Sequence, residues 1–233
     1  MAFHGHIHVE RQIRRLTEST NMPLHDSVFR MHPQPGLVLP RQPGQPWNLG
    51  IVDAERKLAR GAAPANKGAD LEGTLLWLRA QGVRTLAILN ETEQGIDREA
   101  ELALAAEINL QTVCFDWERM LREKNSGGEP QWRRFRALVE AGALYVHCVW
   151  GVDRTGATLA RVRRELYGWT AQEAFREVRS YGFAFETPVQ DLQPYQKAVL
   201  SYFDFYLEDY APLQPGHPDH TACLVREETA IGD

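Results

Sequence analysis

The chain has 233 residues, enough to bury one substantial hydrophobic core. Its formal net charge of -5 comes from interspersed acidic and basic residues, so the basic footprint of a nucleic-acid-binding protein is absent. No stretch approaches the roughly 18 consecutive apolar residues that span a membrane, and the N-terminus has no apolar signal region. We therefore expect a cytoplasmic protein without a membrane span that binds no nucleic acid.

The cysteines are too few and too scattered for a structural network. Cys114, Cys148 and Cys223 cannot all pair with one another, and their spacing fits neither a disulfide framework nor a zinc cluster. A reducing compartment suits such a chain, and in that setting one functional thiol is an option.

The N-terminal part differs in composition from the rest. It is polar and becomes rich in proline, which predicts an arm that lies on the domain or is partly disordered. His4, His6 and His8 alternate there and would share one face of a strand, so a metal site is conceivable. A histidine cluster near a terminus is more often solvated, and we expect no metal. The sequence predicts three segments: an arm over 1–46, a globular domain over 47–210 and a tail over 211–233.

Helical and extended patterns alternate through the globular part. Helices are predicted over 70–81, 97–108, the stretch 132–139, 155–167, 170–179 and 189–207. Strands are predicted over 83–89, 111–115 and 143–147. Asp97 marks one helix start, and Thr170 with Glu173 forms a capping box at another. This order of elements predicts an α/β fold in a single domain, with a mainly parallel central sheet flanked by helices.

The most informative segment is V-H-C-V-W-G-V-D-R-T-G, residues 146–156. It begins at the end of a predicted strand and leads into a predicted helix. In open α/β sheets, ligands bind beyond the carboxyl ends of the strands. The N–H groups of a tight loop before a helix cradle anions, and Gly151 allows such a loop to curl. The segment therefore predicts an anion site.

Within this loop Cys148 and Arg154 have complementary chemistry. Loop N–H groups, the helix N-terminus and the Arg154 cation all favour a thiolate, so the pKa of Cys148 should lie below its free value of about 8.5. The planar fork of Arg154 suits two phosphate oxygens at once. Thr155 is placed to hydrogen-bond the sulfur when it leaves. His147 orients the loop, since a thiolate needs no general base. The residues expected to bind the phosphate are Val149, Trp150, Gly151, Val152, Asp153 and Arg154.

A known family carries the same pattern. His147-Cys148, five intervening residues and Arg154-Thr155-Gly156 resemble the signature H-C-x-x-G-x-x-R-[ST]-G of the protein tyrosine phosphatase superfamily. The resemblance extends to its bacterial and fungal members of the dual-specificity type. Residues 58–64 are similar to their R-S-A-Q-P segment, 75–90 to their first helix and the strand after it, and 168–183 to their helix pair. In all, the resemblance covers about residues 47–206.

The resemblance implies a cysteine-based phosphatase fold and a two-step reaction without a cofactor. Thiolate Cys148 attacks phosphorus while a carboxylic acid protonates the leaving oxygen, and the same carboxylate then activates water. The partner would be a phosphorylated protein or a small phosphomonoester, with the oligomeric state left open. In this family the acid lies on a separate loop before the cysteine. Asp116, 32 positions before Cys148 and directly after a predicted strand, is the first choice.

The choice of acid stays open between two residues. Asp116 has an alternative interpretation as an aspartate that ends a strand or caps a helix. Asp153 is a rival acid, because some bacterial relatives with Asp directly before the arginine use it. A tyrosine or dual-specificity phosphatase is the expected class, with phosphotyrosine preferred over phosphoserine because an aromatic ring would pack on Trp150.

Three other functions compete with this prediction. Inositol phosphate or phosphoinositide phosphatases often have basic loop residues, whereas this loop is apolar with one acid. Such a substrate would need basic residues from elsewhere, namely Arg119, Arg122 or Lys124. Rhodanese-like sulfurtransferases have one residue fewer between cysteine and arginine. Phosphate-binding proteins without catalysis usually lack the cysteine or the arginine, and this chain keeps both.

Overall fold

The structure, a computed structural model, describes residues 28–31, 39, 44–91, 96–123 and 129–183. The chain divides into two compact units after Gly151, and this division falls inside the predicted domain over 47–210. The histidine cluster of the arm, the predicted helix over 189–207 and the tail lie outside the described residues.

A five-stranded sheet organises the described part of the first unit. The strands are β1 (Gly50–Asp53), β2 (Leu58–Ala62), β3 (Thr85–Ile88), β4 (Gln111–Cys114) and β5 (Leu144–Cys148). Their order is β1-β2-β5-β3-β4, and only the pair of β1 with β2 is antiparallel. The predicted α/β fold with a mainly parallel sheet is confirmed.

Two of these strands were not predicted as strands. The β2 sequence L-A-R-G-A contains alanine, glycine and arginine, which have weak strand propensity. Its strand conformation comes from pairing with β1 on one side and β5 on the other. Tertiary hydrogen bonding therefore overrides local preference here.

The helices fall close to their predicted positions. In the first unit they are α1 (Val28–Met31), α2 (Leu71–Ala80), α3 (Arg98–Glu107), α4 (Trp117–Glu123) and α5 (Pro130–Ala141). In the second unit they are α6 (Asp153–Tyr167) and α7 (Ala171–Ser180). Helices α1 and α4 were not predicted, and α1 lies within the segment 1–46 that the sequence predicted as a polar arm. Helix α6 begins two residues before the predicted start, because an acidic residue such as Asp153 is favoured at the positive end of a helix.

The predicted capping residues act as expected. Asp97 accepts hydrogen bonds from the N–H groups of Glu99 and Ala100 at the start of α3. Thr170 and Glu173 form the complete capping box of α7. Gly168 has a φ of 68° directly after α6, in the left-handed region that only glycine enters without strain.

The core of the first unit fixes the sheet that carries the site. Leu75 and Leu78 of α2 pack with Leu86 and Ile88 of β3 and with Tyr145 of β5. Burying each such side chain stabilises the fold by about 1.5–3 kcal/mol. Because β2 to β5 run parallel to one another, their carboxyl ends share one edge of the sheet. No helix in the described ranges is long and apolar enough to cross a membrane.

Candidate functional site

Cys148 ends the central strand of the sheet. It pairs with Ala62 of β2, and β5 is bonded to β3 on its other side. The residue is 4% exposed and forms no disulfide. Its backbone is therefore fixed at the carboxyl end of a strand that is hydrogen-bonded on both sides. Ligands of open α/β sheets bind beyond the carboxyl ends of the strands.

The backbone carbonyls after Cys148 accept hydrogen bonds from residues in another part of the chain. The carbonyl of Val149 accepts hydrogen bonds from Asn66 Nδ2 at 2.5 Å and from the N–H of Ala63 at 3.1 Å. The carbonyl of Trp150 accepts one from Asn48 Nδ2 at 2.9 Å. Two consecutive loop carbonyls are thus turned towards these donors.

The third carbonyl of the loop is held by a buried cation. Arg60 of β2 is 0% exposed, and its Nη2 donates to the carbonyl of Gly151 at 2.7 Å. Gly151 has a φ of 70°, and a Cβ there would overlap the backbone of Gly61. Only glycine therefore allows the loop to seat against β2 in this conformation.

The hydrogen bonds to the loop carbonyls also set the direction of the loop N–H groups. In a trans peptide the N–H points opposite to the preceding carbonyl. Because the carbonyls of Val149 and Trp150 face their donors, the N–H groups of Trp150 and Gly151 face the other way. Successive N–H groups on one side of a loop form an anion-binding concavity. The arrangement suits a negatively charged oxygen near Cys148.

Asp116 lies at the same edge of the sheet as Cys148. It follows β4, which is two strand positions from β5, so the strand axes are about 10 Å apart. The residue is exposed, and its Oδ1 accepts a hydrogen bond from the N–H of Arg119 at 2.8 Å, at the start of α4. Asp116 is therefore a helix cap in this structure, and that role is compatible with a second one as a proton donor.

The remaining predicted site residues belong to the second unit. Asp153, Arg154 and Thr155 form the first turn of α6, preceded by Val152. Burial raises the pKa of Asp153, and the Arg154 cation offsets part of this rise. Thr155 is buried, and the carbonyl of Arg154 accepts a hydrogen bond from Thr158 Oγ1 at 2.8 Å. Asp153 is thus the carboxyl group whose environment favours its protonated form.

A cation lies close to the exposed aromatic residue of the loop. Trp150 is 42% exposed, and Lys67 Nζ lies 5.8 Å from its ring centre and 4.0 Å from that of Trp47. Of the basic residues considered from sequence, Arg119 pairs with Glu123, whereas Arg122 and Lys124 lie outside the described side chains.

Sequence reasoning missed the residues that shape the loop from outside it. Arg60 stood inside a segment quoted only for its family resemblance, and Asn48 and Asn66 showed no local signal at all. Glu101 lies in the first turn of α3, where an acidic residue is favoured for local reasons. Its burial, at 1% exposure, depends on tertiary packing that no local pattern indicates.

Comparisons with known proteins give structural likeness alone. No family model and no curated protein matches the chain. Among solved structures it resembles TpbA from P. aeruginosa, with 17% identity, a TM-score of 0.48, and coverage of 83% of this chain and 98% of that one. It also resembles the catalytic domain of the PP-IP phosphatase SIW14 from S. cerevisiae, with 15% identity, a TM-score of 0.44, and coverage of 71% and 91%.

A third likeness is to human DUSP28, with 20% identity, a TM-score of 0.39, and coverage of 66% of this chain and 91% of that one. All three proteins are members of the superfamily whose signature loop the sequence resembles. At these identities and TM-scores, the likeness does not by itself assign an activity to this chain.

Proposed function

We propose that the protein is a phosphomonoester hydrolase, a tyrosine or dual-specificity phosphatase that works through a phospho-cysteine intermediate on Cys148. The observation that carries the proposal is the anchored loop after Cys148. Its carbonyls are held by Asn66, Asn48 and Arg60. The N–H groups of the same peptides point away from these donors, and we infer that they face the phosphate oxygens in a preorganised arrangement, which is the condition for efficient electrostatic stabilisation.

In the proposed reaction the Cys148 thiolate attacks phosphorus and the bond to the leaving oxygen breaks. Arg154, six positions along the chain, binds two phosphate oxygens through its planar fork. A water molecule then cleaves the sulfur–phosphorus bond and releases inorganic phosphate. Thr155 donates a hydrogen bond to the departing sulfur.

The leaving oxygen needs a proton, and two carboxyl groups are candidates. Asp116 follows β4 at the carboxyl edge of the sheet and is accessible to solvent. Asp153 is half-buried, with a raised pKa that favours the protonated form. We propose Asp116 as the acid, because a proton donor must reach a bulky leaving group outside the loop. Asp153 then braces the first turn of α6.

Phosphotyrosine is the proposed substrate class. Trp150 is an exposed residue of the loop and offers a flat apolar surface to an aryl phosphate. Inositol phosphates are the second candidate substrates. Lys67 lies close to Trp150, and a cation at that position would bind an additional phosphate group.

The test is turnover of para-nitrophenyl phosphate by the full chain and by Cys148→Ser. We expect the variant to lose activity by at least three orders of magnitude while still binding vanadate or phosphate, because serine does not ionise in the loop. Cys114→Ser, which alters a cysteine away from the loop, is the matched control and should remain active. Activity in Cys148→Ser comparable to the wild type would refute the covalent route, and thiocyanate formation from thiosulfate would favour the sulfurtransferase.

A substrate panel then separates the two substrate classes. Phosphotyrosine, phosphoserine and phosphothreonine peptides are compared with inositol polyphosphates at equal concentration. The highest kcat/KM is expected for phosphotyrosine. A clear preference for inositol polyphosphates would replace that substrate class and leave the Cys148 chemistry unchanged.

A further inference from the structure

An exposed ammonium group lies beside the anchored loop. Lys67 Nζ lies 4.0 Å from the ring centre of Trp47 and 5.8 Å from that of Trp150. Trp150 is the second residue after Cys148, so the cation adjoins the loop that carries the proposed nucleophile. An aromatic face attracts an ammonium but supplies no oxygen acceptor for its three N–H donors.

The backbone fixes the position of Lys67 relative to the loop. Lys67 is the middle residue of a short turn, Asn66–Gly68. This turn is bonded to the loop, because Asn66 Nδ2 donates to the carbonyl of Val149. Lys67 has a φ of 55°, in the left-handed region that favours glycine. Backbone strain of this kind is typical of functional sites, and here it lies directly beside the loop.

Trp47, the nearer aromatic support of the cation, is held by the central sheet. Its carbonyl accepts a hydrogen bond from the N–H of Ala62 at 2.7 Å, and Ala62 pairs with Cys148. The next residue, Asn48, donates to the carbonyl of Trp150. Both rings beside the cation therefore belong to segments that are bonded to the loop or to the sheet, all within the first unit.

The described acidic side chains do not neutralise this cation. Within the ranges that the structure describes, no carboxylate lies at ion-pair distance from Lys67. The nearest acid along the chain, Asp70, has its carboxylate against Gly73 of α2. An ammonium group in this setting is suited to bind an oxygen anion that a ligand supplies.

We propose that Lys67 is a specificity-determining residue that binds a second anionic group of the substrate, the carboxylate of an acidic residue next to the phosphotyrosine. Trp150 would contact the aromatic ring of the substrate, and the ammonium beside Trp150 would meet the neighbouring side chain. One ammonium balances one carboxylate, whereas an inositol polyphosphate brings several phosphates. This inference rests on the proposed function, since it requires a phosphopeptide bound at the loop.

The experiment compares two phosphotyrosine peptides that differ only in the residue next to the phosphotyrosine, glutamate in one and glutamine in the other. In the full chain, kcat/KM should be about fivefold higher for the acidic peptide, the size of an exposed ion pair. Added salt should reduce this preference. Lys67→Met should abolish it, Lys67→Arg should keep it, and Lys67→Glu should reverse it.

Lys57→Met is the matched control. Lys57 is also an exposed lysine with a positive φ, 52°, but it precedes β2 and lies at the opposite edge of the sheet from Cys148. This variant changes the net charge as Lys67→Met does and should leave the peptide preference unchanged. If Lys67 only braced Trp150, its loss would slow both peptides equally, and that result would overturn the proposal.

Binding of the same peptides to Cys148→Ser separates this inference from the proposed reaction. Calorimetry should show the preference for the acidic peptide, and the preference should disappear when Lys67→Met is added. An inactive wild type with this binding preference would refute the phosphatase and leave the role of Lys67 intact. Equal turnover of both peptides by the wild type, or an effect of Lys67→Met confined to inositol polyphosphates, would overturn that role and leave the Cys148 chemistry standing. Failure of both peptides to bind would refute both.

Discussion

Glu101 and Glu177 are both buried acidic residues beside a basic side chain, one in each unit, yet the two contacts are built differently. Arg163 donates to both oxygens of Glu177, from Nε at 2.6 Å and from Nη2 at 3.1 Å. The guanidinium also lies 4.2 Å from the ring centre of Trp169. Because arginine keeps its proton in proteins, this pair has a fixed charge and a fixed geometry.

The contact of Glu101 with His147 lacks this geometry. It consists of one approach of 2.9 Å without a directed hydrogen bond. It also adjoins Cys148, whereas Glu177 and Arg163 connect two helices of the second unit. The comparison teaches that two equally buried acidic side chains can be held very differently, one by two directed hydrogen bonds and the other by a single close contact.

The two candidate acids show a similar contrast. Asp116 of the first unit is exposed, and its Oδ1 accepts a hydrogen bond from a backbone N–H group. Asp153 of the second unit is half-buried, and burial raises its pKa. In the proposed reaction, exposure would let Asp116 reach the leaving group, whereas burial favours the protonated form of Asp153.

Among the variants that compare the two units, the largest effect should come from removing the acid. Asp116→Asn should slow phosphotyrosine hydrolysis by roughly 10²–10⁴-fold, because the leaving oxygen then departs without a proton. Asparagine is also a good helix cap, so α4 should persist. Activated aryl phosphates should suffer much less, and the basic limb of the pH profile should disappear. Steady-state kinetics across a series of leaving groups and across pH measures the loss of rate, its dependence on the leaving group and the basic limb.

Asp153→Asn is the matched variant for that experiment. If Asp153 only braces α6, its variant should lower rates equally for all leaving groups and keep both limbs of the pH profile. A loss of the basic limb in Asp153→Asn, with Asp116→Asn nearly silent, would transfer the acid role to the second unit.

The next effect concerns the fixed ion pair. Arg163→Met leaves Glu177 buried without its cation and should lower the free energy of unfolding by about 3–5 kcal/mol. The double variant Arg163→Met with Glu177→Leu should recover most of this loss, since no unpaired charge remains. Chemical denaturation measures both.

The smallest effect concerns the pH dependence of stability. A raised pKa of Asp153 in the folded state means that ionising this side chain costs stability at neutral pH. Asp153→Asn should therefore be more stable than the wild type at neutral pH. The difference should shrink as pH falls through the raised pKa and vanish below about 3.9, where both folded and unfolded wild type are protonated. Melting temperatures measured across that range would contradict the burial argument if the variant were less stable throughout.

Local patterns were sufficient for most of the helices and for the central strands. Asp97, Thr170 and Glu173 form their hydrogen bonds within three residues of themselves, so the sequence alone located these helix starts. The strand before Cys148 is apolar and buried on both faces, which gives a short continuous hydrophobic run. Helix α4 lacked such a signal because it is only seven residues long.

By itself the sequence determined that Cys148, Gly151 and Arg154 lie where a strand gives way to a helix, because their spacing is a property of the chain. Only the tertiary structure decided what surrounds them. Asn48 and Arg60 lie 102 and 91 positions from the carbonyls that they hold, and Glu101 lies 46 positions before His147. Contacts between such distant residues depend on strand order and packing, and no local propensity encodes them.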